Sequence, residues 1–272
     1  MLLLLVACNH STTKPDDTGP ADSGIDETGE TDSGDTDEGG ETGDTGDSGI
    51  HTGDTSEPRM LANHVVLSYT VAARGEGFDV DGDGETDNAI WALGGVLDPM
   101  IAEGLATAQH VVIAQINGVA DWTNDPKMRV GVLTAEDPDG DGTNNGSGVE
   151  VYVGGAQVDA NGEVYVATNA ALMGGIYSAE IATGAIPVGS YELELATGLY
   201  VRAEADAAQQ SGLLGFGIAL DKLEVALTAE GASKEVLALL AGLADLDLDA
   251  DGTNDGLSMA FHFRAGACTV TP

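Results

Sequence analysis

From Ser11 to Pro58 the chain is almost entirely Asp, Glu, Gly, Thr and Ser, with Ile25 and Ile50 as isolated large apolar residues. Such a stretch has too little apolar surface to offset the entropy of ordering it. It is expected to be a solvated, disordered tether. At roughly 50 Gly-rich residues its root-mean-square reach is about 40 Å, lengthened further by like-charge repulsion. Whatever folds must therefore lie in residues 60–272, which is one domain's worth of chain. The formal net charge is −37, with only nine Lys and Arg. Phosphate binding needs those cations, so a nucleic-acid partner is excluded. The same balance suits metal cations or plain solubility.

Two cysteines occur, Cys8 and Cys268, too few for a disulfide framework. The chain opens MLLLLVAC, and Leu5-Val6-Ala7-Cys8 resembles the lipobox at which bacterial signal peptidases cut before a cysteine that becomes lipid-modified. That resemblance implies residues 1–7 as a signal-peptide remnant, Cys8 as the lipidation site, and residues 8–59 as the anchored tether. A signal peptide opens with a basic region and 7–15 apolar residues. Here no basic residue precedes Lys14, which implies a start codon assigned too late. Asn9 follows the cysteine in place of the Asp associated with inner-membrane retention, so the expected location is the cell envelope, at the outer membrane or cell surface. The membrane is thus an expected partner, reached through the lipid. Triplets such as Asp17-Thr18-Gly19 and Asp32-Ser33-Gly34 look like the aspartic-protease motif, but catalysis there needs two rigidly held turns. In a low-complexity tract they follow from composition alone.

Beyond Arg59 apolar runs alternate with Gly, Asn and Asp. Strands are expected over His64 to Val71, His110 to Val119, Met128 to Ala135, Val149 to Val153, Glu163 to Thr168, Gly175 to Ala182, Ser190 to Ala196, Leu199 to Ala205, Leu213 to Leu220, Leu223 to Ala229 and Leu257 to Ala265. In the last, Leu257, Met259, Phe261 and Phe263 share one face. Helical spacing appears at Asn88 to Ala108, broken near Gly94, Gly95 and Pro99, with Asp87 and Asn88 as possible caps. It appears again after Ser233, a plausible N-cap for the stripe Val236, Leu237, Leu240, Leu243 and Leu246. Together these predict an α+β domain in which a curved antiparallel β-sheet packs on two helices.

One acidic grammar occurs three times. Asp79, Asp81, Asp83, Gly84 and Asp87 occupy positions 1, 3, 5, 6 and 9 of a loop, and Asp247, Asp249, Asp251, Gly252 and Asp255 repeat the arrangement. Asp137, Asp139, Asp141, Gly142 and Asn145 form a third copy with one charge fewer. Carboxylates on alternate residues of a tight turn converge, and glycine at position 6 permits the bend; Ca²⁺ takes six to eight such oxygens. Backbone carbonyls at position 7 (Glu85, Thr143 and Thr253) would add a ligand. Two like charges about 4 Å apart repel by about 4 kcal/mol at an effective dielectric of 20, which an ion converts into binding energy. The spacing resembles the calcium loops of dockerin modules, thrombospondin type 3 repeats and EF-hands. Position 12, a bidentate Glu in EF-hands, is Ile90, Gly148 or Ser258 here, so the resemblance implies static structural sites rather than a sensor. More broadly the chain resembles Gram-negative surface lipoproteins that join a cysteine and an Asp-Thr-Gly-rich tether to a β-rich domain with such loops.

No nucleophile elbow, phosphate loop or zinc-helix spacing is present, and His10, His51, His64, His110 and His262 are scattered. The expected function is a lipid-anchored, extracytoplasmic, calcium-binding protein with a structural or binding role and no enzymatic activity. The alternatives are a calcium-dependent adhesin or carbohydrate-binding module and, further off, a metal-dependent hydrolase. The residues identify no protein or glycan partner.

Overall fold

The computed structural model describes residues 59–107, 110–136, 150–152, 158–159, 161–182, 185–188, 191–229 and 231–271. Cys8, expected as the lipidation site, the stretch expected as a tether and the acidic segment 137–148 lie outside these residues.

Eight strands form a closed ring: β1 (Met60–Val71), β2 (His110–Val119), β3 (Asn124–Glu136), β5 (Ala167–Met173), β6 (Ile176–Ile181), β9 (Leu199–Ala205), β10 (Gln209–Ala219) and β11 (Gly256–Ala267). Every neighbouring pair runs antiparallel. Two of these pairings show how the ring is joined. β3 meets β5 through Arg129 opposite Asn169 and Val130 opposite Thr168, and β1 meets β11 through Tyr69 opposite Phe263. β4 (Glu150–Tyr152) joins β3 and pairs in parallel with β12 (Thr269–Thr271), while β7 (Ala185–Val188) and β8 (Tyr191–Glu194) form a separate hairpin.

The curved sheet packed on two helices is therefore corrected to a closed antiparallel β-barrel. An open sheet needs helices to cover its apolar face, whereas a ring buries that face against itself. The expected alternation on β11 holds, with Leu257, Met259, Phe261 and Phe263 facing inward to meet Val201, Phe216 and Ile218. The helical content is small: a 3-10 turn (Ala89–Leu93), α1 (Gly94–Thr107), α2 (Leu220–Ala229) and α3 (Lys234–Ala241). Leu97 and Ile101 of α1, Leu223 and Leu227 of α2 and Leu240 of α3 join the interior cluster. They extend the barrel's core and do not carry a sheet. Ser233 caps α3 as expected, its Oγ accepting from Val236 N at 3.4 Å.

Leu223 to Ala229, expected as a strand, is most of α2. Leu223 and Leu227, on one side of the alternation, also lie four residues apart and so share a helical face. Burial of Leu223, Ala226 and Leu227 with Val225 63 % exposed marks the helical face. The strand expected at Glu163 to Thr168 begins instead at Ala167. Val164 lies with Val65, Ile113 and Leu133 in a small second core on the outer face of β1, β2 and β3, against which Cys268 and Val270 also pack.

Topology divides the ring into unequal ends. The turns β2–β3, β5–β6 and β9–β10 are short and share one end, where β1 begins. The long connections β1–β2, β3–β5, β6–β9 and β10–β11 all leave from the other, so both described acidic loops and the three described α-helices belong to the long-connection side.

Candidate metal centre

The β1–β2 connection first folds back over the outer wall of the barrel. Phe78 stacks on Tyr200 with ring centroids 5.8 Å apart and packs against Ala72, Leu213 and Ala260. Gly215 makes room for it, since a Cβ there would lie 2.7 Å from the Phe78 ring. Glu76 pairs with His262 at 2.8 Å, which holds its carboxyl below the ordinary range. The acidic loop starts at the next residue after this anchored Phe78.

Hydrogen bonds tie the loop into a compact knot. The carboxylate of Asp79 accepts from Gly82 N at 2.7 Å and Gly84 N at 3.0 Å, Asp81 accepts from Asp83 N at 3.1 Å, Asp83 from Glu85 N at 2.7 Å, and Asp87 from Val80 N at 2.8 Å. The loop after α3 repeats this almost bond for bond. Asp247 accepts from Asp251 N at 3.1 Å and Gly252 N at 2.8 Å, Asp249 from Asp251 N at 3.1 Å, Asp251 from Thr253 N at 2.8 Å, and Asp255 from Leu248 N at 2.9 Å. Each loop is closed at its base by one bridge, Phe78 with Asp87 and Leu246 with Gly256. Positions 4 and 6 take positive φ in both: Gly82 and Gly84 in the first, Ala250 and Gly252 in the second. Two segments with different flanking sequence thus reach one backbone conformation, as the shared spacing predicts.

In the first loop Asp79, Asp81 and Asp87 bring carboxylate oxygens within 4.8 Å of one another, and in the second Asp247, Asp249 and Asp251 do so. Ligands on opposite sides of a Ca²⁺ ion about 2.4 Å away stand about 4.8 Å apart, so each triad spans no more than one coordination shell. Asp83 and Asp255 stand outside these triads. Glu85 and Thr253, expected to offer carbonyls, donate their N–H groups to the preceding Asp of the pattern. Asp137, Asp139, Asp141, Thr143 and Asn145 lie outside the described residues. The donor set is all carboxylate oxygen, which suits a hard divalent cation.

Electrostatics points the same way. Burial first, then the charges of Asp81, Asp245 and Asp83, push the Asp87 carboxyl up to about 6, against the pull of the Val80 N–H. Its anion is destabilised where it sits, and a cation among the triad would remove that cost.

Asp245 and Ser258 were not visible as site residues from spacing, because neither belongs to the acidic pattern. Ser258 is fully buried, and its N–H donates to Asp245 Oδ1 at 2.8 Å while its hydroxyl bonds the other carboxylate oxygen. The same hydroxyl accepts from Ala89 N at 2.9 Å. Ala89 lies two residues past Asp87 and Asp245 two residues before Asp247, so this chain of bonds joins the two loops. Burial holds the Asp245 carboxyl above its ordinary range, and the Ser258 bonds oppose it. The expected capping of the first helix by Asn88 is corrected. Its side chain makes no cap bond and its Nδ2 donates instead to the carbonyls of Ala72 at 3.0 Å and Glu76 at 3.2 Å. The N–H of Ala89 is satisfied from β11, which only tertiary structure could supply. Against protein-family models, curated proteins and solved structures alike, the chain returns no match.

Proposed function

We propose that this is a calcium-binding protein of the cell envelope, held to the membrane through a lipid on Cys8, whose barrel is stiffened by Ca²⁺ at its acidic loops. The observation that carries the reading is the duplicated loop: two separate segments with one hydrogen-bond pattern, each converging three carboxylates. Asp79, Asp81 and Asp87 would hold one ion, and Asp247, Asp249 and Asp251 the other. A bound ion supplies charge neutralisation, which fixes the base of α1 on one side and the junction of α3 with β11 on the other. The role is structural or binding rather than catalytic. The lipid anchor rests on the Leu5-Val6-Ala7-Cys8 sequence, and Cys8→Ser is expected to abolish labelling by a radiolabelled fatty acid.

The test of the metal reading is a calorimetric Ca²⁺ titration of the full chain joined to thermal melts with and without EDTA. At a free ion concentration about 100 times Kd each site adds about 2.7 kcal/mol. Two sites then correspond to roughly 10–20 °C of melting temperature at about 2–4 °C per kcal/mol for a domain of this size. Asp81→Asn and Asp249→Asn should each remove one equivalent of binding. Protein that binds no divalent ion and melts identically in EDTA would end the reading.

A further inference from the structure

We propose that His64, Gln210 and Tyr177 form an acid-sensitive latch inside the short-turn end of the barrel, in which protonation of the imidazole breaks the bond that ties β10 to β1 across β11. All three side chains are almost wholly buried. Tyr177 Oη donates to Gln210 Oε1 at 2.7 Å, Gln210 Nε2 donates to His64 Nδ1 at 2.8 Å, and His64 Nε2 donates to the Asp206 carbonyl at 3.1 Å. These bonds cross the barrel. β11 separates β1 from β10, and β9 separates β10 from β6. Ala114, Ala203, Ala205 and Ala265 share the inward face of this layer, and their small side chains leave the room that the three larger polar ones occupy.

The direction of the chain fixes the protonation state. Nδ1 accepts, so Nε2 carries the only ring proton and the imidazole is neutral. A second proton on Nδ1 would face the Gln210 amide N–H. Reversing the amide would present Oε1 to Nδ1, but Nε2 would then turn to Tyr177, whose hydroxyl proton loses its acceptor. Protonation therefore strands one buried donor and adds a charge in a dry layer. The groups around the ring do not neutralise it. β6 contributes the Tyr177 phenol, β10 the Gln210 amide, and β2 the Ala114 backbone. β11 places Ala267 opposite, which has nothing to titrate. The turn contributes the Asp206 carbonyl, its carboxylate being held by the N–H groups of Ala208 and Gln209 at 2.7 and 2.9 Å. In keeping with this, burial holds His64 below its ordinary value of 6.5 despite the opposing pull of Asp206. Below 6.5 the unfolded chain binds a proton that the barrel refuses, so stability falls as the pH drops, down to the folded-state pKa.

The experiment is ring-nitrogen and amide-exchange NMR on the full chain between about pH 7.5 and 5, alongside urea unfolding of wild type and His64→Gln. His64 should carry its proton on Nε2 alone and titrate below its ordinary value of 6.5. As it titrates, the Gln210 side-chain amide, bonded to Nδ1 in the neutral state, should lose protection. The folded-to-unfolded ratio of wild type should fall roughly tenfold per pH unit relative to His64→Gln across that window. An imidazole titrating at or above 6.5, or titration without loss of protection at the Gln210 side-chain amide, overturns the latch, as does parallel pH dependence in wild type and variant. If His64→Gln does not fold, the wild-type spectra alone decide.

Discussion

Replacing Ser258 by Ala removes one oxygen from a fully buried position and two hydrogen bonds with it, since Ala89 N donates to that hydroxyl and the hydroxyl donates to Asp245. The backbone bond from Ser258 N to Asp245 survives. A bond to a charged acceptor is worth about 1.5–3 kcal/mol and one between neutral groups about 0.5–1.5 kcal/mol, so the loss should fall at about 2–4 kcal/mol. For a domain of this size that is roughly 4–16 °C of melting temperature. The assay is urea unfolding followed by circular dichroism, repeated for Asp245→Ala and the double variant, in saturating Ca²⁺ and in EDTA. The coupling between the two sites should reach about 1–3 kcal/mol, because they share one bond network. Ca²⁺ affinity at both loops should weaken in Ser258→Ala, the junction between them having lost its fastening. A loss under about 1 kcal/mol with unchanged affinity would refute the reasoning, since a buried donor left without its acceptor cannot be that cheap.

Gly215→Val should drive the Phe78 ring off Tyr200, destabilise by about 1–3 kcal/mol and lower Ca²⁺ affinity at the first loop alone, read by calorimetry. Ala250 holds a φ of 59° where the first loop has Gly82 at 83°. Ala250→Gly should therefore be tolerated within about 1 kcal/mol, the relief of the left-handed conformation offsetting glycine's entropy, whereas Gly252→Ala should cost about 1–2 kcal/mol in thermal melts. Burial pushes the Cys268 thiol up to about 11. Near neutral pH it should resist alkylation in the folded protein and react readily in urea, as peptide mapping would show.

The acidic loops were legible because their chemistry is local. Spacing, the glycine at position 6 and the turn bonds all lie within about a dozen residues, and the same few contacts recur in both copies. Most strands were legible too, down to the inward face of Leu257, Met259, Phe261 and Phe263. What could not be read was closure. The pairing of Gly131 with Ala167 joins strands across a long connection, and nothing in either segment announces the other. Without it the apolar helices looked like the cover of an open sheet. Leu223 to Ala229 failed for a different reason, since Leu223 and Leu227 satisfy strand alternation and helical spacing alike, and burial of Ala226 in place of Val225 decides for the helix. Asp245 and Ser258 were silent because their importance comes from meeting across the fold.

The hydrogen-bonded meeting of β1 with β11 carries one more consequence. The first and last strands of the ring are neighbours, so the order in which the eight are written along the chain is not what keeps them assembled. A permuted version opened between Gly174 and Gly175 and rejoined by a flexible linker from Thr271 to Arg59 keeps seven of the eight ring contacts covalently or laterally undisturbed, and the eighth, a two-residue turn, is the one whose strands are each clasped by another neighbour.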